Sequence, residues 1–495
     1  MSARSTAPAS HPTTRSRRSS PQSPMTISGP ISAPLSSTAP RIPPPRPPAT
    51  EEVPSHRLNA TDRGKGHQMA TNETAAGAPP QEKRSLPEWA EGFAEDYKKI
   101  FIDEWSPYLG FMLLVSLAMM LMASGVFWGV FGGLKLWGDY INNAIGLGPM
   151  LGISEDLKSP LEHQMSVMNI ALLLGAFTAA LMSMQFAIRK APLSEYAYGA
   201  VGGSLMGIGA TIAGGCTTGG FFIPLTFSAP AGWAMWIGLL AGAFIGLKLL
   251  LWGMENITWG TRAPKNRTPA LKPYFPYFGL VIALGVLWWG VTWLRSESNY
   301  TSILALMMLA GFGIGFVMHR SRLCFARAIR EPFMTAEGMM TKAMILAIFV
   351  GCLFGSILIQ KGNIDPYVAL STRFWLGSLI GGLIFGIGMV LAGGCASGTL
   401  WRIGEGHLKL VVVLFFFAWI GSIASAAFGN LGVTTGEIDL DFMDGMVEFS
   451  ALGYQAFLPD MLGGWGPTYM VMITILAIWW CLVRYNETTE KFTVI

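Results

Sequence analysis

From Trp105 onward, apolar runs of roughly 18 to 24 residues succeed one another, separated by short polar links. As a helix, each run is long enough to cross about 30 Å of hydrocarbon. Backbone groups inside a bilayer have to find partners within the protein, so a chain of this pattern folds as a bundle of spanning helices. Ten spans are expected, five in each half: roughly 107–131, 167–188, 196–213, 231–253 and 274–294, then 301–318, 338–360, 374–391, 408–428 and 466–484. The fold class read from this is an all-α polytopic membrane protein embedded in a lipid bilayer.

The segment before these spans has a different character. Residues 1–95 read as a disordered extension rich in Pro, Ser and Arg, with no apolar pattern able to bury a core. Arg4, Arg15, Arg17, Arg18, Arg41 and Arg46 precede the first acidic residue, Glu51, a composition shared with organelle transit peptides. The favoured alternative is a translation start at Met69. Membrane repeat 1 is then expected over 96–298, repeat 2 over 299–485, and a short tail over 486–495.

Charge and cysteine content narrow the function. The net charge of +4 comes from tail and loop arginines that flank the spans without interleaved aromatics, which excludes nucleic-acid binding. The five cysteines, Cys216, Cys324, Cys352, Cys395 and Cys481, form no CxxC pair and no metal-ligand spacing with His. They read as free thiols, with neither a metal nor a cofactor expected. His163, His319 and His407 read as loop residues that form no ligand set. The acidic stretch Glu437, Asp439, Asp441, Asp444 and Glu448 reads as solvated surface.

The two halves are copies. Ala213-Gly214-Gly215-Cys216 recurs as Ala392-Gly393-Gly394-Cys395, an offset of 395 − 216 = 179, and 10 of the 19 positions in 201–219 are identical in 380–398. An odd number of spans per copy makes the repeats inverted. Lys and Arg gather on cytoplasmic sides. With both termini inside, that side receives Arg189, Lys190, Arg262, Lys265, Arg267, Lys272, Arg320, Arg322, Arg327, Arg330, Arg402, Lys409 and Arg484. The acidic stretch falls opposite. Paired helix breaks in inverted repeats point to a transporter's substrate site.

Glycine pairs break helices, and here each break carries a thiol. The bland reading of Cys216 and Cys395 is as small packing residues; duplication at one offset weighs against it. Gly215 and Gly394 would let successive N–H groups turn toward an anion, and a helix starting beyond them would add its positive end. Thr217, Thr218 and Ser397 would add hydroxyl donors. A neutral thiol is a soft donor suited to sulfur or selenium. Cys324, in the apolar interruption Leu323-Cys324-Phe325-Ala326, is expected to dip back into the membrane toward the other two, with Arg322 drawing an anion to the mouth. Arg320, Arg327 and Arg330 read as topology charges, and Cys352 and Cys481 as packing residues.

At these motifs the chain resembles the YeeE/YedE family of sulfur transport membrane proteins. The residues that carry the resemblance are Gly207-Ile208-Gly209 with Ala213-Gly214-Gly215-Cys216, Arg320-Ser321-Arg322-Leu323-Cys324-Phe325-Ala326, and Gly386-Ile387-Gly388 with Ala392-Gly393-Gly394-Cys395-Ala396-Ser397-Gly398. It covers roughly 105–485. The resemblance implies an hourglass-shaped monomer in the bacterial inner membrane that takes up thiosulfate. It also implies that Cys216, Cys324 and Cys395 line the waist and pass the ion by transient S–H···S hydrogen bonds. Some members serve selenium metabolism instead. A small sulfur-carrier protein of the TusA type would be a separate chain, because its Cys-Pro-x-Pro motif does not occur here.

Three functions therefore compete: a transporter of thiosulfate or a related sulfur anion, a membrane thiol-redox component working with a carrier, and a structural member of a sulfur-enzyme complex. The redox reading wants a CxxC-like thiol and a quinone or haem site, and a structural member would not need duplicated breaks. A transporter, not an enzyme, is the expectation.

Overall fold

Apolar sequence of span length becomes helix throughout the computed structural model, which describes residues 88–256, 271–362, 364–369, 373–434, 437–439 and 447–494. The extension up to residue 87, with Arg262, Lys265, Arg267, Asp441 and Asp444, lies outside the described residues. Helix α1 (Glu88–Tyr97) begins inside the stretch read as tail and runs on through a π turn to Ile102. Repeat 1 then comprises α2 (Pro107–Ala123), α3 (Phe131–Ala144), α4 (Gln164–Met182), α5 (Leu193–Ala213), α6 (Pro230–Asn256) and α7 (Phe275–Leu294). Repeat 2 comprises α8 (Asn299–Arg320), α9 (Phe325–Met334), α10 (Met339–Gln360), α11 (Leu376–Ala392), α12 (Ala396–Gly404), α13 (Leu408–Asn430) and α14 (Trp465–Thr489). Among the described residues nine helical stretches are long and apolar enough to cross a membrane, and the pair bent by 77° before α2 brings the number to ten.

Between α13 and α14 three short antiparallel strands are added: β1 (Glu437–Asp439), β2 (Val447–Ser450) and β3 (Gly453–Tyr454), with Glu437 opposite Phe449 and Phe449 opposite Tyr454. They lie outside the spans, and the membrane region is all helix.

Glycine contacts reveal the symmetry of the bundle. A Cβ on Gly202 would fall 2.6 Å from the Gly388 carbonyl oxygen, and one on Gly388 would fall 2.7 Å from that of Gly202. Gly209 and Gly381 stand in the same reciprocal relation, each 2.7 Å from the other's carbonyl oxygen. With the offset of 179, Gly381 is the copy of Gly202 and Gly388 the copy of Gly209. The α5–α11 contact is therefore isologous, as across a two-fold axis. The partner number falls from 388 to 381 as the first rises from 202 to 209, so the equivalent helices run antiparallel. This is inverted-repeat packing, and small residues let the backbones approach. The relation extends outward, with Gly207 against Gly421 copied as Gly386 against Gly242.

The first span is shorter than its apolar run suggested. Helix α2 stops at Ala123, where Ser124 caps it and Gly125 turns left-handed at φ 75°. The stretch 132–165, expected as loop, contains α3, a second short helix equivalent to α9. Helix α3 reads as polar because of Lys135 and Asp139, but those two pair at 2.8 Å and Ser422 donates to Asp139 at 2.5 Å. His319 is also not in a loop: it sits buried in the last turn of α8, edge-on to the Trp401 ring at 5.9 Å.

Candidate functional site

Both glycine breaks fold alike, down to the backbone angles. Helix α5 ends at left-handed Gly214 (φ 78°, ψ 10°) and α11 at left-handed Gly393 (φ 83°, ψ 14°), a conformation that costs a glycine nothing. Cys216 and Cys395 follow in the same extended conformation, each at φ −81°. The chain then re-enters helix, as a π turn over Thr217–Phe222 and a short helix Ile223–Thr226 in one copy, and as α12 in the other. Both thiols are fully buried.

Beyond the backbone the copies diverge. The Cys395 thiol caps α12, accepting the Gly398 N–H at 3.4 Å, and its Sγ lies 3.6 Å from Ser397 Oγ. The Cys216 thiol makes no such cap. Next in the chain, the fully buried hydroxyls of Thr217 and Thr218 have no hydrogen-bond partner, and neither do Thr399 Oγ1 after the other break or Trp128 Nε1 beside Phe325. Unpaired buried donors are costly, and they are common where a ligand completes them. Gly394 departs from the anion-nest expectation: its N–H closes α11 on the Met389 carbonyl at 3.1 Å.

Cys324 meets Cys395. It stands at the N-terminus of α9, 5% exposed, and its Sγ is 4.0 Å from Cys395 Sγ. Phe325 anchors it, with its ring 5.1 Å from Phe222, 5.7 Å from Phe111 and 6.4 Å from Trp128. Trp401 Nε1 donates to the Leu323 carbonyl at 2.9 Å and ties the loop to α12. Gly398 matters for a reason invisible in the sequence: a Cβ there would fall 2.8 Å from Cys324 Sγ and 3.2 Å from Cys395 Sγ.

Above this pair opens a cavity of about 360 Å³, lined by Cys324, Arg189, Arg322, Arg327, Arg330 and Arg402, with Glu104, Glu405 and His407 on its wall. Five guanidinium groups against two carboxylates leave it at 5 − 2 = +3 with His407 neutral. Field lines focus in such a low-dielectric concavity, which raises the local concentration of anions. Glu405 organises it. Its Oε1 accepts from Arg189 Nη1 and Arg322 Nη1, each at 2.8 Å, and its side chain is 2% exposed. Burial would raise the Glu405 carboxyl, but Arg322 and Arg189 outweigh burial and hold it at about 2. Burial and the Arg402 cation lower His407 and keep its ring neutral.

Arg322, expected to draw an anion to the mouth, lines the cavity and is also heavily engaged. It adopts a left-handed backbone (φ 52°) and bonds Glu405, Gln185 at 2.7 Å and Glu104 at 3.2 Å. Arg327 pairs with Glu331, while the buried Arg330 Nε has no partner. Arg402 Nη1 donates to the Gly393 carbonyl at 2.9 Å, fixing the break itself. Of the two remaining cysteines, Cys352 is buried with its Sγ 3.1 Å from Ser228 Oγ, and Cys481 is exposed.

The structure thus defines an inverted-repeat membrane protein with two broken helices, a buried thiol in each break, and a basic cavity lined by Cys324, which meets one of those thiols. The family described as "Sulphur transport" matches this chain over residues 70–245 and 320–494, and the chain belongs to it. The "Probable transporter YedE" of Escherichia coli (strain K12) is 27% identical over 311 residues, 60% of this chain and 73% of that protein. The "Thiosulfate transporter TsuA" of the same organism is 39% identical over 116 residues, 23% of this chain and 32% of that protein. A protein of the same name from Spirochaeta thermophila is 37% identical over 120 residues, 24% of this chain and 35% of that protein.

Proposed function

We propose that this chain is a transporter of thiosulfate or a closely related sulfur-containing anion, passed through a waist formed by Cys216, Cys324 and Cys395. The observation that carries the reading is the juxtaposition of two buried thiols, 4.0 Å apart, with a cavity lined by five arginines. The cavity attracts and concentrates an anion, and the thiols offer it soft S–H donors where arginine would bind it too firmly to leave. Arg330, whose buried Nε has no partner, is the vestibule donor most ready to receive it. Thr217, Thr218 and Cys216 supply donors on the other side of the waist, with Ser397 beside Cys395. Gly215 and Gly398 leave no room for a Cβ, and Gly394 carries the bond to Met389 that closes α11.

The anion crosses between repeat 1 (96–298) and repeat 2 (299–485). The arginine side is the cytoplasmic side under the positive-inside rule, which puts both termini in the cytoplasm of a bacterial inner membrane. A separate sulfur-carrier protein of the TusA type would receive the anion there. The shared name of the two thiosulfate transporters above supports thiosulfate as the substrate.

Radiolabelled thiosulfate uptake into liposomes holding the purified chain tests this. Saturable uptake is expected, inhibited by unlabelled thiosulfate and barely by sulfate, which lacks the soft terminal sulfur. Uptake no faster than into empty liposomes overturns the reading, and stronger inhibition by selenite moves the substrate to selenium.

A further inference from the structure

Farther along α9 than Cys324, the C-terminal residues fold back onto that helix and leave an apolar cleft against α6 and α14. Val494 N–H donates to the Phe333 carbonyl at 2.8 Å, Asn486 Nδ2 to the Pro332 carbonyl at 2.6 Å, and Phe492 N–H to Asn486 Oδ1 at 2.9 Å. The cleft has a volume of about 190 Å³, and Trp236, Leu240, Ile329, Trp479 and Val483 line it. Its polar side chains turn inward, Thr341 to the Ala328 carbonyl at 2.5 Å and Asn486 as above, so the wall is almost wholly hydrocarbon. The cleft continues into a wider groove of about 660 Å³, sharing Leu240, Phe333 and Phe492 and bearing Lys248 and Lys491.

Those lysines have no carboxylate within ion-pair distance among the described residues. Lys248 Nζ sits 4.6 Å over the Phe244 ring, and Lys491 Nζ donates to Tyr485 Oη at 2.9 Å. Each ammonium is thus held by an aromatic group with its charge uncompensated. Lys342 at the start of α10 pairs with Glu487 at the end of α14, so the groove opens at the end of the bundle where α8 delivers Arg322 to the basic cavity.

The geometry points to a binding site for an anionic glycerophospholipid: an acyl chain in the apolar cleft and the headgroup phosphate between Lys248 and Lys491. A free inorganic anion has no use for the hydrocarbon wall, and a zwitterionic lipid brings a choline that repels the two ammonium groups. Hydrophobic cleft and cationic rim together match one ligand class, an amphiphile with a negative head. The site is independent of the transport reading.

Native mass spectrometry of the purified full-length chain with phosphatidylglycerol or phosphatidylcholine of identical acyl chains tests it. Wild-type protein should retain phosphatidylglycerol with a preference of roughly thirtyfold, about what two interfacial lysines supply. The double variant Lys248→Ala/Lys491→Ala should hold both lipids equally. The melting temperature in detergent provides a second readout, rising with phosphatidylglycerol for the wild type only. Equal retention of the two lipids by wild type, undiminished preference in the double variant, or the same thermal shift with inorganic phosphate alone would each overturn the site.

Discussion

Gly398 lies directly beneath two thiols: a Cβ on it would stand 2.8 Å from Cys324 Sγ and 3.2 Å from Cys395 Sγ. Its copy in the other repeat, Gly219, has nothing nearer than 3.8 Å. The two breaks share a backbone, and only one of them has a second cysteine delivered from outside the repeat pattern.

That difference makes a matched pair of substitutions. Gly398→Ala should cut thiosulfate uptake by about tenfold or more, because the methyl group displaces the thiols from their positions. Gly219→Ala should transport within about twofold of wild type. Alanine favours helix over glycine by about 1 kcal/mol, so neither variant should unfold. Equal uptake by the two variants would remove Gly398 from the account.

Glu405 is expected to govern acid stability. Its carboxyl is held at about 2, below the ordinary carboxylate value, by Arg322 and Arg189 against the opposing effect of burial. A depressed folded value means the stabilisation is present in full above the unfolded value of about 4.5. It is lost as pH falls from there toward 2. The expected loss across that window is up to about 3 kcal/mol. Glu405→Gln should lower the melting temperature at pH 7, since it removes the buried carboxylate that the partly buried Arg189 and Arg322 share and leaves Arg322 only the Glu104 carboxylate. It should also flatten the melting profile between pH 5 and pH 3. A variant with the wild-type acid profile would contradict the pairing.

The thiols are expected to act without covalent chemistry. Intact-mass spectrometry of protein incubated with thiosulfate and no reductant should show the unmodified mass. A persistent sulfur adduct on Cys216, Cys324 or Cys395, formed as fast as transport, would instead favour thiol redox exchange.

Helix count, inverted repeats and paired breaks were legible because each is written in local sequence: apolar length, an offset of 179, and a glycine pair that no helix carries cheaply. Cys324 was legible as an apolar interruption among arginines. Helix α3 was not, because Asp139 reads as loop until Ser422, 283 residues away, is seen to satisfy it. Glu405 was hidden for the same reason. Its meaning comes from Arg189 and Arg322 in two other loops, and the local signal was only a lone acid between Arg402 and Lys409. Gly398 was visible as a repeat identity, but the thiol above it arrives from Cys324, 74 positions earlier (398 − 324). What composition and period cannot express is a contact between segments that share no pattern.

The most direct measurement is radiolabelled thiosulfate uptake into proteoliposomes containing wild type, Cys395→Ala, Cys395→Ser, Cys216→Ala, Cys352→Ala or Cys481→Ala at matched protein density. If the duplicated thiols contact the passing anion as neutral donors, Cys395→Ala and Cys216→Ala should lose about tenfold or more of the uptake rate, the worth of one or two hydrogen bonds. Cys395→Ser should keep an intermediate rate, because a hydroxyl still donates. Cys352→Ala and Cys481→Ala should match wild type. Wild-type uptake by both Cys216→Ala and Cys395→Ala would contradict the cysteine waist outright.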